Sequence, residues 1–308
     1  MPETIRQSTI KSFLFCPRSY KYLQLDCMEP TFRNLAAIHG KVVHNLIHLL
    51  HTDDWNLDLD QMYQLIFNYE ESHGDESHIP IFWKEDREKL LGKLQTEAVE
   101  MLENYRAKDY NRDAKVVLSE AEFTLKLARN GRLYSGTIDQ LRKLPDGSFQ
   151  LIDFKTTKFP PSDAFLQVDY QFGIYAYACW KGIFKLPDNS LKPLDIPAEK
   201  LSIVHYHLRD HLTYKRKNGN GEIGDEKGNP MRETSRSRRQ LAEMRRDLKT
   251  VVKMMDNSHF PRNPSWATCP LCPYQQACAD DYSGAALNRN QRKAVQEVIN
   301  KQGVNAYG

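Results

Sequence analysis

The chain has 308 residues, with 43 Lys and Arg against 40 Asp and Glu and a formal net charge of +3. So small a charge announces no polyanionic partner by itself, and 40% hydrophobic with 27% charged residues describes a globular chain able to bury a substantial core. No run of 18 apolar residues occurs, which excludes a membrane-spanning helix, and the opening Met-Pro-Glu-Thr-Ile-Arg does not read as a signal peptide, so the expected compartment is the cytoplasm.

Residues from about 8 to 108 read as helical. Ala36 to His48 is one helix-like run, and it carries Gly40-Lys-Val-Val-His44. His39, His48 and His51 read as ordinary surface or core histidines, and a zinc pair of His44 with His48 lacks the glutamate of the zinc-protease pattern. A long amphipathic helix runs through Leu90, Leu94, Ala98, Met101 and Tyr105. Strands are expected over 116–127, 133–143 and 148–155; on the first of them Glu120 and Glu122 share parity.

The second and third strands flank Pro145-Asp146-Gly147, which is turn chemistry. A three-residue loop centred on Asp146 pairs residues equidistant from it, and Asp139 and Asp153 each lie seven positions away. The two carboxylates are therefore expected as cross-strand neighbours, roughly 5 Å apart at Cβ, where like charges repel unless a cation sits between them. Lys155, two residues beyond Asp153 on the same strand face, aims its ammonium at the same point. Two acids and a lysine so placed suit hydrolytic metal chemistry. A bulge at Gly147 would slip the pairing by one residue and separate the faces.

Phe165 to Trp180 reads as a helix carrying Gln171-Phe-Gly-Ile-Tyr175, whose first and last residues share a face; Gln167 and Tyr170 make a poorer match nearby. Leu201 to Leu208 reads as a strand, and 215–230 as a polar Gly/Asn-rich hairpin tip or mobile loop. Residues 232–253 are expected as a helix with an apolar stripe through Leu241, Met244, Leu248 and Val251. Its other face carries Arg236, Arg238, Arg239, Arg245, Arg246 and Lys249, suited to tracking phosphates or to plain solvation.

Of six cysteines, three form Cys269-Pro-Leu-Cys272-Pro-Tyr-Gln-Gln-Ala-Cys278, and Cys16 lies near the other end of the chain. Four thiolates suit zinc or an iron–sulfur cluster, and spacing alone does not choose. Cys27 and Cys179 read as buried small hydrophobes. The whole reads as α/β, a mixed sheet edged by helices in one domain, with a helical N-terminal region over residues 1–110, a core over 111–210, a basic insertion and helix over 211–256 and a cluster segment over 257–308. Internal repeats are absent, as is the phosphate loop Gly-x-x-x-x-Gly-Lys-Ser/Thr, so ATP-driven unwinding would come from a partner.

Gly136-Thr-Ile-Asp139 followed by Ile152-Asp153-Phe154-Lys155 resembles the core of the PD-(D/E)XK nuclease superfamily, in the branch of RecB- and AddB-type exonucleases and CRISPR-associated adaptation nucleases. The resemblance implies a restriction-endonuclease-like core and a metal-dependent phosphodiesterase. Mg2+ or Mn2+ would be held by His44, Asp139, Asp153 and the Phe154 carbonyl, with Lys155 positioning or deprotonating the attacking water. Glu120, favoured over Glu122, would be the acid on the strand before the hairpin, and Gln171 with Tyr175 would steer the DNA strand. Gly40 to His44 resembles the N-terminal helix of such nucleases. Cys16, in a Phe-x-x-Cys-Pro-x-x-Tyr context, with Cys269, Cys272 and Cys278 resembles a 4Fe-4S staple joining the chain ends. The implied substrate is DNA, single-stranded ends first, with a helicase, recombination or CRISPR protein as the implied partner; the 210–235 insertion has no role in the resemblance. A catalytically silent nucleic-acid-binding subunit of a larger DNA-processing complex is the competing expectation.

Overall fold

A computed structural model describes residues 4–74, 77–107, 114–126, 132–212, 214–217, 223–226, 229–257, 260–266 and 268–283. A short strand β1 (Thr4–Arg6) leads into α1 (Gln7–Phe15), α2 (Pro17–Tyr20) and a π-turn at Lys21–Leu25. β2 (Arg33–Asn34) precedes α3 (Leu35–Thr52), where the Asn34 side chain caps the first turn through the Ala36 amide. α4 (Leu59–His73), β3 (Ile81–Phe82) and α5 (Arg87–Ala107) complete the helical region.

The sheet then forms from β4 (Lys115–Lys126), β5 (Leu133–Lys143) and β6 (Phe149–Lys155), followed by α6 (Asp163–Val168) and α7 (Tyr170–Lys181). After these come β7 (Ile183–Lys185), β8 (Leu191–Pro193), β9 (Leu201–His207), the β10–β11 hairpin (Tyr214–Lys217, Ile223–Glu226), β12 (Met231–Thr234), α8 (Arg238–Asp256) and α9 (Gln275–Ser283). The strand order is β12-β9-β6-β5-β4-β7-β8, mixed because β6 and β9 run parallel while β4, β5 and β6 alternate.

Helices cover both faces, as the α/β reading expects. Val42, Leu46, Tyr63, Leu102 and Tyr105 from α3, α4 and α5 pack on Ile152, Phe154, Val204 and Tyr206. The opposite layer joins Phe13, Phe172, Ile174, Leu241 and Leu248 to Leu118, Phe123, Ile138, Leu151 and Ile203. β6 is thereby buried on both faces, which is why Leu151, Ile152 and Phe154 form an apolar run rather than an alternation.

The hairpin register is the one the turn chemistry predicts. Leu144 and Ser148 close the loop, and Gly147 adopts φ +83, a left-handed conformation that glycine enters without steric cost. The Ser148 amide donates to Asp146, and Gln140 pairs with Ile152, one step short of Asp139 and Asp153. A left-handed glycine thus closes the loop without slipping the pairing.

Several expectations need correction. The Phe165–Trp180 helix is two helices, broken at Asp169, whose extended backbone and side chain cap α7 through the Gln171 amide. The basic helix begins only at Arg238, under a Ser237/Gln240 capping box, because Met231–Thr234 pairs with β9. Arg236 is consequently buried, bonding the Leu166 carbonyl, and is no part of a basic face; the stripe through Leu241, Met244, Leu248 and Val251 is buried as expected. Cys27 is exposed in a left-handed turn after the π-helical stretch, whereas Cys179 is buried. The polar 215–230 stretch is in part the β10–β11 hairpin; its residues 218–222 and 227–228, and the C-terminal residues from 284 on, lie outside the described residues. Among the described residues no helix is long and apolar enough to cross a membrane.

Candidate active site

The site lies where one edge of β5 passes from β1 to β6. On one edge β5 pairs with β1 through Leu133–Ser135 and with β6 through Gln140–Lys143, leaving Gly136–Asp139 between two partners. On the other edge the β4 ladder runs Ser119 to Gln140 and then Ala121 to Ile138, passing over Glu120 and Asp139. Glu120 takes φ +48, and the buried alternation shifts there from Leu118 to Ala121. A side chain in this region costs of order 1–3 kcal/mol, strain of the kind found at functional sites. The same shift turns Glu122 to solvent, so equal parity with Glu120 does not mean equal position.

His44 of α3 stands across from these acids. Its Nδ1 is 3.5 Å from both Glu120 Oε1 and Asp139 Oδ2. A carbonyl only accepts, so Nε2 carries a hydrogen and donates to the Phe154 oxygen at 2.9 Å. The Phe154 amide donates in turn to Asp139 Oδ2 at 2.7 Å, so the peptide of Phe154 is gripped on both sides. Ligating atoms of His44, Glu120 and Asp139 all lie within 4.8 Å of one another. Carboxylate oxygens with an imidazole suit Mg2+ or Mn2+.

The electrostatics of the trio point the same way. Burial pushes the Asp139 carboxyl up, opposed by His44 and reinforced by Asp153. Burial alone would lower His44, but the Asp139 carboxylate, with Glu120, raises it to about 9. At neutral pH an imidazolium therefore holds the position between the two acids, supplying the positive charge that a metal ion supplies better.

Asp153 lies on the α7 side. It is 0% exposed, and its Oδ1 accepts from Gln171 Nε2 at 2.9 Å, the same amide that donates to Tyr175 Oη at 2.9 Å. Its Oδ2 is 2.7 Å from Lys155 Nζ and has no aligned hydrogen bond, so the contact is an ion pair. Burial works against the Lys155 charge, yet Asp153 and then Asp139 outweigh it and keep the ammonium protonated. Burial and the nearby carboxylates likewise hold the Tyr175 phenol well above its ordinary range. Of the expected site residues, then, His44, Glu120, Asp139 and Phe154 meet directly, Asp153, Lys155, Gln171 and Tyr175 form an adjoining chain, and Gln167 is exposed on α6.

Two further residues belong to this neighbourhood. His205 lies opposite Asp153 in the parallel β6–β9 register, edge-on to Phe172, and burial lowers it to about 4. Asp169 caps α7 and acts on the Lys155 charge. An aspartate just before Gln171 was a readable capping signal; His205 carried none beyond its place in a strand.

Cys16 and the cysteines of 269–278 lie in two segments that meet, residues 15–31 and 263–281. Asn263 donates to the Phe15 carbonyl, Thr31 to Pro273 and Tyr274 to Met28. Burial raises the Cys272 thiol, which the Ser19 hydroxyl contacts and which Cys16 and Cys269 adjoin; Cys278 acts on the Tyr22 phenol. No three of these sulfurs lie within 4.8 Å of one another.

The family model of the PD-(D/E)XK nuclease superfamily matches residues 5–279, and the chain belongs to that superfamily. Comparison with curated proteins gives no match. Among solved structures, one described as a candidate exonuclease from Eubacterium rectale is similar at 11% identity and TM-score 0.46, over 89% of this chain and 87% of that one. Another, SSO0001, is similar at 12% identity and TM-score 0.30, over 88% of this chain and 94% of that one.

Proposed function

We propose that the protein is a metal-dependent DNA nuclease acting on single-stranded ends as an exonuclease. The observation that carries this reading is the convergence of His44, Glu120 and Asp139 beside the Asp153–Lys155 pair, where one edge of β5 lies open between β1 and β6, in a chain of this superfamily. His44, Asp139, Asp153 and the Phe154 carbonyl, together with Glu120, would hold Mg2+ or Mn2+. Bound there, such an ion supplies Lewis acidity to a phosphoryl oxygen and a hydroxide near neutral pH.

The chain's own groups do the rest. The protonated Lys155 orients the attacking water and neutralises charge developing on the phosphate, a task its raised pKa suits better than proton abstraction. Asp153 and Gln171 fix that lysine, and Tyr175, kept as a phenol, donates rather than repels.

Cys16, Cys269, Cys272 and Cys278 hold a 4Fe-4S cluster in this reading. Support comes from the Cys269-x-x-Cys272 pair with Cys278 and from the contacts that bring residues 15–31 against 263–277. Its role is to clamp the fold, and a helicase or recombination partner supplies unwinding.

End-labelled single-stranded DNA incubated with Mn2+ and with EDTA is the test. Cleavage with Mn2+ that vanishes in EDTA and in Asp153→Asn is the expected result. Tight binding without cleavage under every divalent ion would replace the enzyme with a silent binding subunit.

A further inference from the structure

A cleft of about 370 Å³ opens between α3 and α4, lined by Asn45, His48 and Leu49 on one side and Leu65, Ile66 and Tyr69 on the other. That volume falls in the range of small-ligand sites, and its walls share their composition, mostly apolar with a few polar groups. Leu65 and Tyr69 are 54% and 60% exposed, large apolar surfaces that the core does not use. The Asn45 side-chain amide has no partner among the described residues. Glu70, at the edge, is tied to Lys41 at 2.8 Å, which leaves that half-exposed lysine at the mouth, one turn before Asn45.

The cleft neighbours the candidate active site through His48. His48 lies one helical turn after His44 on the same face of α3, and its Nδ1 bonds the hydroxyl of Ser119, the residue before Glu120. The four residues from His44 to His48 rise about 6 Å, roughly two nucleotide steps of 3.4 Å. We propose that this cleft is a subsite for one unpaired nucleobase, about two nucleotides from the phosphate under attack, and it rests on the nuclease reading above. Tyr69, Leu65 and Ile66 take the base face, as any base allows; Asn45 meets its edge, and Lys41 faces the adjoining phosphate. A base inside a duplex must leave its stack to enter, so the subsite selects single strands.

The test uses the full chain carrying Asp153→Asn and a short fluorescein-labelled deoxyoligonucleotide, with an abasic site placed at each position in turn and binding read by fluorescence anisotropy. Tyr69→Ala with Leu65→Ala is expected to weaken binding about tenfold, the order of one lost stacking contact. One abasic position should weaken the parent by the same factor and add nothing in the variant, because both remove one interaction. Binding unchanged across the variant and the abasic series, by a chain whose native form cuts DNA in Mn2+, overturns the subsite and leaves the nuclease reading standing. A native chain that neither binds nor cuts DNA removes both. The abasic series needs no mutation of the cleft, so it decides even if the double variant misfolds.

Discussion

His44 shows how much one side chain's surroundings decide. An isolated histidine titrates near 6.5; here the facing Asp139 and Glu120 raise it to about 9. A histidine whose folded pKa is raised contributes stability that is complete below 6.5 and is lost as pH climbs through 9. The metal-free protein should therefore melt at lower temperature across that window, by at most roughly 3 kcal/mol of stability, and His44→Gln should flatten the dependence in thermal melts recorded in EDTA. Mn2+ displaces the same proton, so titration calorimetry in buffers of different ionisation enthalpy should record proton release on binding. At Asp153 the expectation is kinetic: Asp153→Asn keeps the shape but removes the charge that holds Lys155, and cleavage should fall by about 10²–10³-fold or more.

Elements, rather than residues, decide which acid faces the site. Alternation along β4 treats Glu120 and Glu122 alike, and only the left-handed backbone at Glu120 separates them. Glu120→Gly should relieve that strain and raise unfolding stability by about 1 kcal/mol while lowering the cleavage rate, an opposition that denaturant melts and kinetics read together. Gly147→Val should do the reverse at the hairpin, costing about 1–2 kcal/mol with the site chemistry intact. The expected Phe165–Trp180 helix failed for a local reason: apolar periodicity continues across Asp169, but its side chain captures the Gln171 amide and starts a new helix. That break places Gln171 in the first turn of α7, where its amide reaches Asp153.

Across the whole molecule, two helical layers clamp a mixed sheet, and residues 15–31 near one end pack against 263–281 near the other. If a cluster staples those ends, it closes a loop of more than 250 residues. Cys272→Ser should then cost about 3–5 kcal/mol and lower the melting temperature together with the iron and sulfide bound per chain. A variant that keeps its melting point while losing iron would confine the cluster to another role.

The sequence alone determined what depends on neighbours along the chain. Pro145-Asp146-Gly147 set the hairpin and its register, the stripe through Leu241 and Leu248 set the buried face of α8, and the spacing of Asp139, Asp153 and Lys155 put the acids on facing strands with the amine beside Asp153. Tertiary structure decided what depends on packing between distant segments. His44 meets Glu120 and Asp139 because α3 lies on the face that β6 presents through Phe154, and the Cys16 region meets the Cys269–Cys278 segment because Tyr22 docks on α9. Turn chemistry and periodicity act over a few residues and are written in order, whereas the contact of a helix with a sheet is chosen by the burial of both surfaces at once.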